Sequence, residues 1–135
     1  MPKYLLLKHY TGGPTPMECP PMDEWSAEDI NAHMAFQYEV GRILTESGEF
    51  VGAEGLAPTG AWVRYGGPDA APVVLDGPFP ETKELIAGWF LIDVESEARA
   101  HEVAALVSSA PGKDGAPIHE WLEVRPVMDG MPADQ

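Results

Sequence analysis

Hydrophobic and polar positions along the chain alternate in short blocks that predict six strands and two helices. The strand candidates cover residues 3–10, 49–56, 61–65, 72–75, 84–94 and 118–124. The stretch 84–94 is apolar on both alternating faces, so each face needs a covering layer. The residues Ala-Pro-Thr-Gly at 57–60 have the length of a hairpin turn between the second and third candidates. The proline-rich segment 15–25 is predicted to be a surface loop.

Both helices are indicated by capping residues and by apolar positions three and four residues apart. The first is predicted to begin after Ser26 and to end near Ser47. Its apolar face carries Ile30, Phe36, Val40, Ile43 and Leu44. His33 lies within that apolar stripe, which predicts a polar opening in the core. The second helix is predicted to begin at Ser96 and to end before Pro111.

The order of strand, helix, two or three strands, helix and strand predicts a ferredoxin-like βαββαβ domain of the α+β class, with two helices on one face of an antiparallel sheet. Its other face would present Trp89 or Phe90, together with Trp121. An apolar surface of this kind normally meets a partner, and pairing about a two-fold axis is the simplest arrangement. We therefore predict a homodimer through the open sheet face. Residues 1–127 are expected to form one domain, followed by a weakly ordered tail at 128–135.

Composition restricts the classes of partner. The 135 residues carry a formal net charge of −14, which argues against nucleic acid and anionic membrane surfaces because both bind cationic faces. Apolar runs are too short to cross a bilayer or to form the core of a signal peptide. Cys19 is the single cysteine, so neither an intramolecular disulfide nor a thiolate metal cluster is expected. We expect a cytoplasmic protein without a metal ion or cofactor.

The stretch 76–84 combines four ionisable residues with two prolines and a glycine, which predict a rigid turn. Asp76 is a candidate catalytic carboxylate, and the alternative is a turn former bonded to its own backbone. Glu81 and Lys83 would project to the same side of an extended backbone. They are therefore candidates for substrate contact, with an exposed ion pair as the alternative.

Three residues outside this stretch are candidates because of their chemistry. His33 has an ordinary pKa of about 6.5, which suits proton transfer at neutral pH. Its alternative role is a core histidine bonded to backbone or water. Arg64 offers a planar fork for a carboxylate-bearing ligand, or else a salt bridge to Glu81 or Glu84. His9 lies at the end of a strand predicted to be central and is a candidate for substrate contact.

Several segments of this chain occur together in one known family. They are Lys3-Tyr4-Leu5-Leu6-Leu7, the helix with His33, Trp62-Val63-Arg64, Asp76-Gly77-Pro78-Phe79, Glu81-Thr82-Lys83-Glu84, Gly88-Trp89-Phe90 and Glu123-Val124-Arg125-Pro126. As a set they resemble the DGPF branch of the YCII-related family over nearly the whole length. The resemblance implies a ferredoxin-like protomer in a dimeric α/β barrel. That scaffold is shared with muconolactone-isomerase-like enzymes and with small-molecule-binding modules.

The same resemblance implies a histidine as one member of an acid–base pair. Shorter relatives of the YCII type have a histidine on the first helix and an aspartate in an Asp-Pro step after the second, and one relative is described as a dehydrochlorinase. His33 matches the histidine, whereas the matching step here is Ala110-Pro111. We hypothesise that Asp76 or Glu81 replaces the missing aspartate.

Three functions remain open from the sequence. The first is a small-molecule-binding protein of unknown specific role, with a pocket between the first helix and the sheet. The second is a cofactor-independent lyase or isomerase that moves a proton with His33 and a carboxylate. The third is a protein-interaction module without an enclosed cavity.

Overall fold

The computed structural model describes residues 1–10, 12–77 and 85–128. Its strands and helices follow one another as β1 (Lys3–His9), α1 (Ala27–Glu46), β2 (Phe50–Gly55), β3 (Gly60–Arg64), β4 (Val73–Gly77), β5 (Ile86–Asp93), α2 (Glu97–Ser108) and β6 (Leu122–Pro126). Two single 3₁₀ turns lie at Met22–Glu24 and Lys113–Gly115. The tail beyond residue 128 lies outside the described residues.

Four strands form one antiparallel sheet in the order β2-β5-β1-β6. Both helices pack on one face of this sheet, so the fold is α+β and is compatible with the ferredoxin-like arrangement. Within the described residues, β3 and β4 pair only with each other. They form a separate two-stranded sheet that falls between β2 and β5 in the sequence. The predicted α+β class, with two helices on one face of an antiparallel sheet, is therefore confirmed.

The core lies between the helices and the sheet, and alternation along the central strands selects its members. Tyr4 and Leu6 of β1 face Ile92 and Phe90 of β5 across the ladder, and all four are buried. The helices contribute Val40, Leu44, Ala100, Val103, Ala104 and Val107. Trp89, one residue before Phe90, faces the other side of the sheet, where it is half-buried.

The first helix begins as predicted. The Ser26 hydroxyl accepts a hydrogen bond from the amide of Asp29 at 3.1 Å, and the Asp29 carboxylate accepts one from the amide of Ser26 at 3.4 Å. This capping box satisfies amides that would otherwise have no partner at the helix start. The predicted apolar face is also largely confirmed, although Ile43 at its edge is 36% exposed.

Two strand predictions were wrong. A hairpin between β2 and β3 was expected at 57–60, but β2 pairs with β5 and β3 pairs with β4. The reason is that β5 is apolar on both faces and is buried most effectively in the middle of the sheet. The last strand was expected at 118–124 and instead spans Leu122–Pro126, because His119 adopts a left-handed φ of 53° and the Ile118 amide bonds the Ala110 carbonyl. Trp121 therefore lies before the sheet.

A half-buried ion pair connects α2 to the start of β2. The guanidinium of Arg99 donates two hydrogen bonds of 2.9 Å to the carboxylate of Glu49, which also accepts a bond from the Ser47 hydroxyl at 2.7 Å. These bonds hold the pKa of Glu49 below its usual value, with those from Arg99 contributing most. The pair is bidentate, and Glu49 is buried.

Removing the Glu49 carboxylate should lower the free energy of unfolding by about 2 kcal/mol, because Arg99 would lose its counterion in a half-buried position. Urea titration of the wild type and Glu49→Ala measures this loss. The matched control Arg42→Ala removes exposed pairs with Glu39 and Glu46 and should change stability by less than about 0.5 kcal/mol. Equal losses in the two variants would contradict a structural role for the Glu49 pair.

Candidate functional site

His33 is buried on the core-facing side of α1, and only 6% of its surface is exposed. It precedes Val40 and Leu44 on the same helix face, which is why the fold turns it toward the sheet. Its Nδ1 atom lies 3.0 Å from the carbonyl oxygen of Pro111. A carbonyl only accepts, so Nδ1 carries the hydrogen, and the neutral ring keeps its lone pair on Nε2.

Two neighbouring side chains orient this ring. Gln37 lies one turn further along α1, and its Nε2 atom is 3.4 Å from the Nε2 atom of His33, where an amide N–H donates to the lone pair. The indole of Trp25 meets the imidazole edge to face, with 5.5 Å between ring centroids. Trp25 is itself held by a 2.8 Å hydrogen bond from its indole N–H to the Pro20 carbonyl.

An ion pair between Lys8 and Glu120 lies close enough to His33 for both charges to affect the pKa of the imidazole. Lys8 follows Leu6 on the core-facing side of β1 and is paired with Leu122 across the ladder. Its Nζ atom is 3.0 Å from Oε1 of Glu120, and the side chains are 14% and 8% exposed. We refer to His33, Gln37, Lys8 and Glu120 as the His33 cluster.

Backbone contacts bring Glu120 to this position. The Ser108 hydroxyl donates a 2.6 Å hydrogen bond to the Glu120 carbonyl, and the His119 amide donates to the Ser108 carbonyl at 3.1 Å. Pro111, which accepts from His33, pairs with Pro117 in a single bridge. The segment that carries Glu120 is thus hydrogen-bonded to the end of α2. It also pairs with Pro111, the residue whose carbonyl accepts from His33.

The pKa of His33 is lowered from its usual value, mainly because burial disfavours the charged ring. The hydrogen bond to Pro111 acts in the opposite direction and is the next largest influence, while Lys8 lowers the pKa and Glu120 raises it. The imidazole is therefore neutral at pH 7. Its Nε2 atom can accept a hydrogen bond or a proton when the Gln37 amide moves aside.

Two adjoining depressions open between the loop after β1 and the segment before β6. The first has a volume of about 130 Å³, and its lining includes Thr15, Glu18, His119, Glu120 and Trp121. The second, of about 250 Å³, shares Glu18 and His119 with the first and also contacts Cys19 and Lys113. Glu120 belongs both to the first depression and to the His33 cluster. Glu120 therefore lines a surface depression and also raises the pKa of the buried imidazole through its charge.

Asp76 and Gly77 lie in β4 rather than in the turn predicted for 76–84, and the rest of that stretch, 78–84, lies outside the described residues. Asp76 is a strand residue of β4, exposed and opposite Ala61, rather than part of a turn. Gly77 is buried against the indole of Trp62, where a side chain would clash, so close approach and not an unusual φ requires glycine there. Asp76 forms no hydrogen bond or ion pair with His33 in the described part of the chain. Its catalytic role stays a prediction.

The predicted substrate-binding residues are spread over the molecule. Arg64 is exposed at the end of β3. His9 is directed to the sheet face opposite Lys8, and its Nε2 atom lies 3.0 Å from Oε1 of Glu123. Glu81 and Lys83 lie outside the described residues. Contact between any of these residues and a ligand stays a prediction.

The sequence analysis missed Lys8 and Glu120, although both left a signal. Lys8 continues the core-facing alternation of β1, where an apolar residue is expected. Glu120 interrupts the apolar series formed by Ile118, Leu122 and Val124. Each charged residue occupies a position where its own segment predicts an apolar one. In the folded protein the two opposite charges form an ion pair.

The antiparallel sheet, its two helices and the histidine on the first helix define an α+β protein with a buried polar site. The profile of the YCII-related domain matches residues 4–121, and the chain belongs to this family. It is also similar to an uncharacterized protein of Rhizobium meliloti, with 34% identity over 110 residues, which are 82% of this chain and 85% of that protein. Neither match specifies a reaction or a ligand.

Among residues 1–10, 12–77 and 85–128, no three histidine, cysteine or acidic side chains are grouped so that they could hold a metal ion. No helix in this part of the chain has the length and apolar character needed to cross a membrane.

The lowered pKa of His33 predicts a pH-dependent stability. Because the unfolded chain takes up a proton at a higher pH than the folded protein does, the wild type should lose stability as the pH falls through about 6.5. The loss between about pH 7.5 and 5.5 should be smaller in His33→Gln. Urea unfolding at each pH measures it, and His101→Gln, on the exposed face of α2, is the control. Identical pH profiles for the wild type and His33→Gln would contradict the lowered pKa.

Proposed function

We propose that this protein binds a small molecule in a pocket between α1 and the sheet, at the His33 cluster. The observation that carries the proposal is a buried, neutral imidazole whose pKa is influenced by Glu120, a carboxylate that also lines a surface depression. Buried polar groups cost free energy when they lack partners, and a well-packed apolar core would avoid that cost. A ligand that completes their hydrogen bonds explains why such groups lie next to an opening.

We also propose that the chain belongs to the DGPF branch of the family, because residues 76–79 have the sequence Asp-Gly-Pro-Phe.

The four tryptophans allow a direct test by NMR. A ligand at the His33 cluster should shift the indole N–H signals of Trp25 and Trp121. Trp25 contacts the imidazole, and Trp121 lines the first depression. The signals of Trp62, on β3, and Trp89, on the opposite sheet face, should remain in place and serve as internal controls. Small oxygenated compounds would be titrated into ¹⁵N-labelled protein. Absence of binding across a broad panel, or shifts confined to Trp62 and Trp89, would contradict the proposed site.

A cofactor-independent lyase or isomerase is the second candidate, and the lone pair on Nε2 of His33 favours it. Asp76 and Glu81 are the partner carboxylates expected from the sequence, and Glu120 is the carboxylate whose charge acts on the imidazole. Incubation of the same ligands with the protein in D₂O, followed through the ligand's own C–H signals, distinguishes the two functions. Proton transfer replaces a C–H hydrogen of the ligand by deuterium, and His33→Gln should stop this exchange while retaining binding. A pure binding protein exchanges nothing.

We further propose that two protomers pair through the open face of the sheet, as the dimeric α/β barrel implies. Leu5, Trp89 and Leu91 are half-buried on that face, which the helices do not cover. The sheet of β3 and β4 adds exposed apolar residues, including Trp62 at 64% and Leu75 at 63%. A two-stranded sheet of this composition gains stability when a partner covers it.

Sedimentation equilibrium should give the mass of a dimer for the wild type. Leu91→Glu places a charge on the open face and should produce monomers, because a buried carboxylate without a counterion opposes association. Met34→Glu, on the solvent side of α1 and 44% exposed, is the matched control and should remain dimeric. A monomeric wild type would refute the pairing. The pairing would also be refuted if the Leu91→Glu variant is dimeric and its circular dichroism spectrum shows that it is folded.

A further inference from the structure

The small sheet of β3 and β4 has an unpaired strand edge. Every residue of the two strands is exposed except Gly77. β3 pairs with β4 on one side, and no strand in the described part of the chain pairs with its other side. Amide and carbonyl groups of Gly60–Arg64 therefore line an edge that a further strand can join. Two strands alone are only marginally stable, so such a strand would stabilise the small sheet.

This edge lacks the features that normally prevent strand pairing. β3 contains no proline, and its single charged residue, Arg64, lies at its end. The indole of Trp62 packs over Gly77 of β4, where an added Cβ would clash with the ring. Because the ring leans toward β4, it leaves the opposite edge of β3 uncovered. β4 carries Asp76 within the strand, so β3 offers the better edge for pairing.

Charge favours a second copy of this chain as the strand that joins β3. The protein has a formal net charge of −14, so most of its surface repels a copy of itself. Residues 55–68, which include β3, contain no aspartate or glutamate. Two β3 strands that run antiparallel about an axis at Trp62 would hold their Arg64 residues about 13 Å apart along the strands. This separation exceeds the Debye length of about 8 Å at physiological ionic strength, so the two edges meet without repulsion between like charges.

The contact is too small to hold two protomers together by itself. Complete cover of Trp62 and Tyr65, which are 64% and 76% exposed, would bury roughly 200–350 Å² on each protomer. A stable interface buries about 500 Å² or more on each partner. Pairing of the β3 edges therefore adds to the pairing through the open sheet face. In a dimer, a segment meets its own copy only at the two-fold axis, so one axis serves both contacts.

We propose that the β3 edges of two protomers pair antiparallel at the two-fold axis of the dimer and join the two small sheets into one sheet of four strands. Trp62 lies at the axis, and Ala61 of one protomer lies opposite Val63 of the partner subunit. The pairing gives the backbone groups of both edges hydrogen-bond partners. This inference rests on the proposed dimer and names the segments that meet in it.

Disulfide formation between single cysteines, with an added oxidant, tests the pairing and its register in a Cys19→Ser background. Equivalent residues at the axis have Cα atoms about 5 Å apart, which a disulfide spans. One residue away from the axis the separation is about 8 Å, which a disulfide does not span. Trp62→Cys should therefore give at least about tenfold more linked dimer than Ala61→Cys or Val63→Cys. Tyr38→Cys, 76% exposed on α1, is the control for random collision.

A second measurement keeps the indole that packs over Gly77. Ala61→Cys and Val63→Cys proteins, mixed and left to exchange subunits, should link to each other and not to themselves, which the masses of the products show. If neither Trp62→Cys nor this mixture links while the wild type sediments as a dimer, the β3 pairing is overturned and the open-face dimer stands. Linkage as strong in Tyr38→Cys as at every β3 position would also overturn it. A monomeric wild type would overturn both.

Discussion

The ammonium group of Lys8, whose side chain is only 14% exposed, is the constraint on which the end of the fold around the His33 cluster depends. Strand alternation directs it into the layer between sheet and helices, where an unpaired charge would cost several kcal/mol. Glu120 supplies the counterion, and it can do so only because the segment before β6 leaves the sheet and folds against the end of α2. That same segment places the Pro111 carbonyl beside His33.

The chemistry of His33 follows from this arrangement. Burial keeps the imidazole neutral, and the bond from Nδ1 to Pro111 leaves Nε2 as the atom that can react or bind. The carboxylate near the ring thus comes from the loop before β6 and is balanced by a lysine on β1. Membership of the YCII-related family is compatible with several chemistries, so the function has to be argued from the site itself.

Local patterns predicted much of the protomer. The spacing of apolar residues and the cap at Ser26 predicted α1 and placed His33 on its buried face, because both signals act within a few residues. The two-sided apolar run predicted β5 as a strand that is apolar on both faces. Asp76 was misassigned because its local sequence is typical of a turn, whereas its pairing with Ala61 makes it part of a strand.

The sequence by itself determined the fold class, the family and the burial of His33, since each of these follows from residues close together in the chain or from the overall order of elements. Only the tertiary structure decided that β2 pairs with β5 and that Lys8 meets Glu120. Contacts between residues so far apart leave no periodic signal in either segment. They form where the whole chain can bury its apolar faces and still provide each buried charge with a partner.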